Sequence, residues 1–193
     1  MKRLRLGILG SGKGSNCRAI LESIRNGSLA AEPRVVISDV LDAPILDIAR
    51  EFSVPNAYLP PGQFRTRLEP VVEAELVRML REAQVELVAL AGFMRVLKAP
   101  MLNAFSRRII NIHPSLLPKF PGLESWKQAL EAKETVTGCT VHYVDDKIDH
   151  GDIIAQREVA ILPDDTAESL HARIQVAEHE LYPAVIAQLC RES

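Results

Sequence analysis

The chain has 193 residues, of which 47% are apolar and 25% charged, a composition typical of a soluble globular domain rather than a disordered chain. A net charge of −2 gives no basic field for a nucleic acid or an anionic membrane, and no apolar run approaches the roughly 20 residues that span a bilayer, so neither partner is expected. The three cysteines Cys17, Cys139 and Cys190 are odd in number and form no CxxC pair, which favours a reducing cytoplasm.

Short β-rich runs alternate with longer helical ones, and this alternation predicts βαβ units. We expect seven strands, the first five parallel, over residues 4–9, 34–38, 56–59, 87–90, 108–112, 138–144 and 153–159. The loop between the last two is too short for a crossover helix, so they should pair antiparallel at one edge. The sequence therefore predicts one α/β domain over residues 1–193, with an open, mostly parallel, twisted, Rossmann-like sheet and helices on both faces.

Five helices are expected between and after these strands. They cover residues 16–26, 43–52, 71–82 with Pro70 close to the start, 125–132, and a last helix from near Thr166 towards Leu189. In the last helix, Asp165 and Glu168 have capping-box spacing, and Pro183 is expected to kink or break the helix.

Residues 10–16, GSGKGSN, join the first strand to a helix. Glycines let the backbone approach a ligand, and a helix start offers free N–H groups, so this loop is a candidate phosphate site. The alternating Gly10, Gly12 and Gly14 match neither GxGxxG nor a P-loop, which disfavours dinucleotide and ATP sites. The alternative is a tight strand-to-helix turn that binds no ligand. The positive charge of Lys13 slightly favours the phosphate site.

Asn111 and His113 stand two places apart in RIINIHPSLLPKFPG, at the end of an expected buried strand. Residues i and i+2 face the same side of a strand, so the amide and the imidazole should share one crevice. An amide N–H can stabilise an oxyanion and an imidazole can carry a proton, which suits attack of an amine or water on a carbonyl. Taken alone, an Asn and a His at this spacing would be interpreted as structural residues without a catalytic role. The prolines Pro114, Pro118 and Pro121 favour a preorganised site instead.

A carboxylate partner is available in residues 142–152, HYVDDKIDHGD, which contain Asp145, Asp146, Asp149 and Asp152. The alternation of a calcium loop and the spacing of a zinc site are both absent, so no metal is expected. Such a run is commonly a solvated turn. As part of a site, one Asp would pair with His113 and raise its basicity.

Two further segments carry weaker signals. ALAGFMRVL, residues 89–97, places Arg95 just beyond a buried strand, where it could clamp a carboxylate, whereas Met94 is expected to be packing. QVAEHE, residues 175–180, lies on the last helix, whose charges commonly face solvent. His171 has no second ligand at helical spacing, so a surface histidine is expected.

Five segments resemble, in the same order, motifs of the phosphoribosylglycinamide formyltransferases, a family of the formyltransferase superfamily. They are GSGKGSN, LAGFMRVL, NIHPSLLPKFPG, GCTVHYVDDKIDHGDIIAQ and RIQVAEHELYP. NIHPSLLP is typical of the superfamily, while the glycine loop and EHELYP narrow the resemblance to this family. The resemblance implies transfer of a formyl group from 10-formyltetrahydrofolate, as co-substrate, to the amine of glycinamide ribonucleotide in de novo purine biosynthesis.

The resemblance also implies roles for individual residues. Asn111 would donate to the formyl oxyanion, His113 would handle protons, and Asp149 would orient His113 or a relay water. For the ribonucleotide, the resemblance implies that Gly14, Ser15 and Asn16 in the N-terminal half bind the phosphate and that Gln175 and Glu178 bind the rest of the substrate. For the folate, whose site is assigned to the C-terminal half, the implied positions are Met94, Arg95, Val96, Leu97 and Asp146. Arg95 would lie near the folate glutamate.

The chain departs from the family at Glu124, Ser125 and Trp126, where better-known bacterial members have histidines, and at Asp152, where proline is common. A formyltetrahydrofolate deformylase is one alternative, although that family usually carries an additional N-terminal regulatory domain. A folate- or phosphate-binding module without the chemistry is another, and it would be expected to have a broken Asn–His–Asp trio. Either a monomer or a homodimer is expected.

Overall fold

The computed structural model describes residues 3–192. Its strands are β1 (Leu4–Leu9), β2 (Ala31–Ser38), β3 (Asn56–Tyr58), β4 (Leu87–Leu90), β5 (Ile109–His113), β6 (Val136–Tyr143) and β7 (Ile153–Ala160). They form one sheet in the order β3-β2-β1-β4-β5-β6-β7. The first five strands are parallel, and β6 pairs antiparallel with both β5 and β7. The predicted parallel core and antiparallel edge are confirmed.

Helices cover both faces of this sheet. They are α1 (Ser15–Arg25), α2 (Pro44–Glu51), α3 (Pro70–Glu82), α4 (Ala99–Ala104), α5 (Ser125–Glu131) and α6 (Ala167–Arg191). One core cluster packs α1, α2 and α6 on the sheet, and a second packs α3 and α4 on it. The predicted Rossmann-like α/β class is therefore correct. Within residues 3–192, no helix is long and apolar enough to cross a membrane.

Five strands differ from their predicted bounds, and for β3, β6 and β7 the difference is only one or two residues at an end. β2 begins earlier than predicted and contains Pro33. Because β3 pairs only with Val36–Ser38, the proline lies where β2 is an edge on that side, a position that tolerates proline. β5 is displaced by one residue, so that His113 is the last residue of the strand rather than the first residue after it.

Helix α4 was not predicted, and its start depends on a distant side chain. The buried Glu73 of α3 accepts a hydrogen bond from the N–H of Lys98, the N-cap of α4, at 2.5 Å. A carboxylate at a helix start stabilises the free N–H groups there, so a helix of only six residues can form.

Helix α6 differs from the prediction in its cap and in its continuity. Thr166 and Ser169, not Asp165 and Glu168, form the capping box. The helix passes through Pro183 without a break. Its buried face offsets the lost backbone bond: the Tyr182 hydroxyl lies 3.0 Å from the carbonyl oxygens of both Leu90 and Ile110, which ties α6 to β4 and β5.

Candidate active site

The strand order creates a crevice between β1 and β4. β2 and β3 lie on one side of β1 and β4 lies on the other, so the direction of winding switches here. Ligands of open parallel sheets bind at the carboxyl ends of the strands beside such a switch point. A cavity of about 580 Å³ opens there, and every predicted site residue except Asp146 lines it.

The glycine loop after β1 is tightly packed against its neighbours. Gly14, the N-cap of α1, has a φ of 74°, and a Cβ on it would lie 2.9 Å from Ile45. A Cβ on Gly10 would lie 2.7 Å from the carbonyl oxygen of Ala91. No side chain within residues 3–192 caps α1, and Ser15 and Asn16 of its first turn line the cavity. The loop therefore offers its backbone N–H groups to a ligand.

A buried carboxylate, Asp39, connects the loops that follow β1, β2 and β4. It accepts from Ser11 Oγ at 2.5 Å and from Arg95 Nε at 2.6 Å, and Ser11 Oγ in turn accepts from the Met94 N–H at 2.9 Å. Arg95 also donates to the carbonyl oxygens of residues 64 and 65. The Nε and Nη1 groups of Arg95 thus donate to protein acceptors.

Asn111 and His142 are cross-strand partners on β5 and β6. Asn111 Nδ2 lies 3.2 Å from His142 Nε2, and His142 Nδ1 lies 2.8 Å from the carbonyl oxygen of Tyr143. Because a carbonyl only accepts, Nδ1 carries the proton and Nε2 accepts from the Asn111 amide. Burial lowers the pKa of His142, in keeping with a neutral ring. Among residues 3–192, the second N–H of the Asn111 amide has no protein partner.

His113 lies buried between two hydrogen-bond acceptors. Its Nε2 is 3.0 Å from the carbonyl oxygen of Phe120, and its Nδ1 is 3.3 Å from Asp149 Oδ2. An imidazolium at this position would face both oxygens with an N–H group. The Gly122 N–H donates to the same carboxylate oxygen at 2.8 Å, which holds Asp149 against the ring.

The proline-containing loop after His113 is held from below by β6 and β7. Thr140, the cross-strand partner of His113, accepts from the Leu117 N–H at 3.0 Å and donates to the Ser115 carbonyl oxygen at 2.7 Å. Gln156 donates to the Leu117 carbonyl oxygen at 2.8 Å. These bonds fix the loop whose carbonyl and N–H groups contact His113 and Asp149.

The acidic residues of the 145–152 loop have separate surroundings. Asp149 turns towards His113, whereas Asp145 pairs with His150 at 3.1 Å. Asp146 does not line the cavity. Asp152 pairs with Arg107 at 2.9 Å, and both side chains are largely exposed, so this pair contributes less than about 1 kcal/mol.

A buried carboxylate on α6 faces the start of α1. Glu178 Oε2 accepts from Asn16 Nδ2 at 3.0 Å. Burial raises the pKa of Glu178 to about 7, against the opposing effect of the Asn16 hydrogen bond. The Asn16 Oδ1 is buried and has no hydrogen-bond partner among the described residues, so it is left for a donor group of a ligand. Gln175 lines the same wall.

Residues 124–126, noted above as departures from the family pattern, form the start of α5 and its cap beside this end of the cavity. Trp126 stacks on His171 with ring centroids 3.7 Å apart and an interplanar angle of 3°. The prediction of a surface histidine at position 171 is wrong, because the ring is half-buried in the cavity wall. Ser125 donates to the Pro114 carbonyl oxygen at 2.7 Å, and Glu124 pairs with Lys127.

Three polar groups of the site were missed from the sequence: Asp39, His142 and His171. Asp39 follows a buried strand, as Gly10 and Arg95 do, and that position was an available signal. His142 and His171 meet their partners only through strand register and helix packing. Within residues 3–192, no three His, Cys, Asp or Glu side chains are grouped so as to hold a metal ion.

Comparisons with known proteins extend over most of the chain. The formyl transferase family profile matches residues 4–186. Phosphoribosylglycinamide formyltransferase of Bacillus subtilis is 39% identical over 185 residues, which cover 96% of this chain and 94% of that protein. Trifunctional purine biosynthetic protein adenosine-3 of Drosophila pseudoobscura pseudoobscura is 47% identical over 189 residues, or 97% of this chain, but the chain spans only 14% of its length.

A solved structure shows the same architecture. Glycinamide ribonucleotide transformylase 1 from Symbiobacterium toebii superposes with a TM-score of 0.94 at 45% sequence identity, covering 98% of this chain and 89% of that one. The family profile, the relative that is matched over nearly its full length and the solved structure all indicate the same family. The chain belongs to the formyl transferase family of enzymes, among the phosphoribosylglycinamide formyltransferases.

Proposed function

We propose that the protein transfers a formyl group from 10-formyltetrahydrofolate to the amine of glycinamide ribonucleotide. The observation that carries the proposal is the meeting of Asn111, His113 and Asp149 in one cavity, with Asp149 3.3 Å from the His113 ring. The names of the B. subtilis and S. toebii relatives support this choice of acceptor.

The ribonucleotide would bind between the glycine loop and α6. The uncapped N–H groups at Gly14, Ser15 and Asn16 would hold its phosphate. Gln175 and Glu178 would face the rest of the substrate, and the unpartnered Asn16 Oδ1 would accept from one of its N–H or O–H groups. Above about pH 7 an ionised Glu178 would attract the substrate amine.

The folate would bind along the loop after β4, on Met94, Arg95, Val96 and Leu97. Because Asp39 holds the Arg95 guanidinium, we expect the backbone of this segment, rather than that charge, to contact the ring system. The expected position of Arg95 near the folate glutamate stays a prediction.

The opposite side of the folate site would be formed by the 145–152 loop. Met94, Leu123 and Ile148 are exposed apolar side chains on the cavity wall, the kind of surface on which a flat ring packs. Asp146 belongs to this loop but does not line the cavity, so any contribution to folate binding would be through the loop backbone. The residues present therefore fit a folate.

The chemistry follows from the donors around this cavity. When bound, 10-formyltetrahydrofolate supplies the formyl carbon that the amine attacks. The unpartnered N–H of Asn111 would donate to the formyl oxygen as negative charge develops on it. A charged His113 would stabilise the same oxygen through its positive charge. The proton that the attacking amine loses would pass to the leaving nitrogen, and Asp149 would orient His113 or a relay water for this transfer.

The test is an assay of formyl loss from 10-formyltetrahydrofolate with and without glycinamide ribonucleotide. We expect formyl loss only with the ribonucleotide, matched by formylated product. Equal loss without it would make the protein a hydrolase, and folate binding without any formyl loss would make it a binding module. Either result would overturn the proposal.

We further propose that both substrates bind within one domain, as a monomer or homodimer, in a reducing cytoplasm. Three free cysteines support that compartment: Cys17 and Cys139 are buried, and Cys190 is partly buried. Burial raises the pKa of Cys17 and of Cys139 to about 12, so neither is a reactive thiolate at neutral pH.

A further inference from the structure

The stack of Trp126 on His171 has no part in the chemistry described above. It joins α5 to α6 with nearly parallel rings, 3° apart in plane and 3.7 Å apart at their centroids. Both side chains line the cavity, at the end that also contains the glycine loop. The stack therefore borders the space in which the ribonucleotide phosphate would lie.

His171 shares a helix face with the two ribonucleotide positions of α6. Residues 171, 175 and 178 are spaced i, i+4 and i+7, which places them on one side of the helix. The hydrogen bond from Asn16 to Glu178 fixes this side against the start of α1. His171 therefore faces the same part of the cavity as Gln175 and Glu178, one turn closer to the beginning of α6.

Two basic side chains, Lys13 and His171, line this part of the cavity. Among residues 3–192, neither ring nitrogen of His171 has a hydrogen-bond partner, and Lys13 of the glycine loop has no ion-pair partner. Burial, and after it the positive charge of nearby Lys13, lowers the pKa of His171. Two such groups in the lining of one cavity are suited to an anionic ligand.

We propose that His171 is an additional ligand of the substrate phosphate, donating a ring N–H to it, and that Trp126 is the positioning residue that holds the imidazole in place. The identity of the substrate rests on the proposed function; the phosphate contact does not. Stacking fixes the ring plane and leaves the ring edge, with its N–H groups, free to face the cavity. A held ring loses less conformational entropy on binding than a free one.

Substitutions can separate the two roles. His171→Phe keeps an aromatic ring against Trp126 but removes the N–H donors, and Trp126→Leu removes the stack but keeps the imidazole. A hydrogen bond to a charged group contributes about 1.5–3 kcal/mol, so His171→Phe should raise KM for the ribonucleotide roughly tenfold or more. Trp126→Leu should raise it by a smaller factor.

The decisive comparison uses the same substrate without its phosphate. With the dephosphorylated glycinamide ribonucleoside, His171→Phe and the unsubstituted protein should have the same KM, because the contact is absent in both. His179→Ala, which removes a histidine elsewhere on α6, serves as the matched control and should not change KM for the ribonucleotide. An equal rise in KM for both substrates would mean that His171 only supports the fold, and no rise for either would also overturn the proposal.

A second measurement needs no formyl transfer, because Trp126 is the only tryptophan of the chain. A protonated imidazole in stacking contact quenches indole emission, so fluorescence against pH reports the titration of His171. The titratable or charged groups contributed by the surrounding elements are Lys13 from the glycine loop, Glu124 and Lys127 from α5, and Glu168 and Glu178 from α6 itself. Glu178→Gln separates the titration of Glu178 from that of His171.

Inorganic phosphate is the probe for this titration. A bound phosphate favours the charged ring, so the quenching midpoint should move to higher pH as phosphate is added, in both the unsubstituted protein and Glu178→Gln. In His171→Phe the phosphate-dependent shift should be lost. A midpoint that phosphate does not move would overturn the proposed contact, even if formyl transfer is observed. A shift in a protein that transfers no formyl group would support the contact and count against the proposed function alone.

Discussion

His142 Nε2 lies 3.2 Å from the amide nitrogen of Asn111, while its Nδ1 is bound to the Tyr143 carbonyl oxygen. The tautomer of one residue thus sets the direction of the amide of the other. One N–H of Asn111 is thereby in use, and the other is left for a group in the cavity that Asn111 lines. An oxyanion donor is effective only when it is oriented before the reaction.

Replacing His142 tests this orientation. We expect His142→Ala to lower kcat by about 10- to 100-fold, since a lost hydrogen bond of about 1–3 kcal/mol leaves the Asn111 amide free to rotate. Steady-state kinetics of His142→Ala, Asn111→Ala and the double variant measure the coupling. The effects should be strongly non-additive. Simple additivity would show that the two residues act separately.

Much of the fold could be predicted because each element carries its own local signal. The apolar runs of β1 and β4 coincide with the predicted strands. Helix α4 could not be predicted, since its start is stabilised by Glu73, which is 25 residues away from Lys98 in the chain. Pro183 was expected to disturb α6, but the buried face of the helix outweighs the missing backbone bond.

The site likewise contains residues that local sequence patterns predict and residues that only the tertiary structure brings together. The shared face of Asn111 and His113 follows from a two-residue spacing and was read from the sequence. His142 meets Asn111 only because β6 pairs antiparallel with β5 in one particular register. The contact of Trp126 with His171 likewise depends on how α5 packs on α6. Periodicity does not reveal either relationship.

The pair of His113 and Asp149 leads to a second prediction. Asp149→Asn keeps an oxygen for the Gly122 N–H but removes the negative charge that faces the His113 ring. Turnover should fall roughly 100-fold or more, because the ring loses the partner that stabilises its charged form. The kcat of this variant is measured at saturating concentrations of both substrates. A kcat that stays within roughly threefold of that of the unsubstituted protein would contradict the role of Asp149 in stabilising a charged His113.

Glu178 makes stability depend on pH. Burial raises its pKa from 4.5 to about 7, so the folded protein binds this proton more tightly than the unfolded chain does. The resulting stabilisation is present below pH 4.5 and is lost as pH rises through about 7. Glu178→Gln has no such loss, and its stability relative to the unsubstituted protein should increase by up to about 3 kcal/mol between pH 5 and pH 8.

Urea unfolding at these two pH values measures the difference. The comparison is between proteins at each pH, so that other titrating groups cancel. A gap between Glu178→Gln and the unsubstituted protein that is the same at both pH values would show that Glu178 is already ionised in the folded protein at pH 5.

Asp39 supports the site from beneath the loops. Asp39→Asn keeps an acceptor for Ser11 but leaves the Arg95 guanidinium, whose side chain is 14% exposed, without its charge partner. We expect a loss of about 3 kcal/mol in unfolding free energy and a higher KM for the folate, since the loop after β4 is no longer held. Asp152→Asn is the matched control: it breaks an exposed pair with Arg107 and should change stability by less than about 1 kcal/mol. Equal effects of the two variants would contradict the supporting role of Asp39.

The most direct measurement follows an isotopically labelled formyl carbon from 10-formyltetrahydrofolate by NMR, in the presence of glycinamide ribonucleotide. The label should appear on the amine of the ribonucleotide with the unsubstituted protein and with His179→Ala, and at a rate lower by roughly 100-fold or more with His113→Ala. Label that ends in free formate, or His113→Ala transferring the label as fast as the unsubstituted protein, would contradict formyl transfer at the Asn111, His113 and Asp149 site.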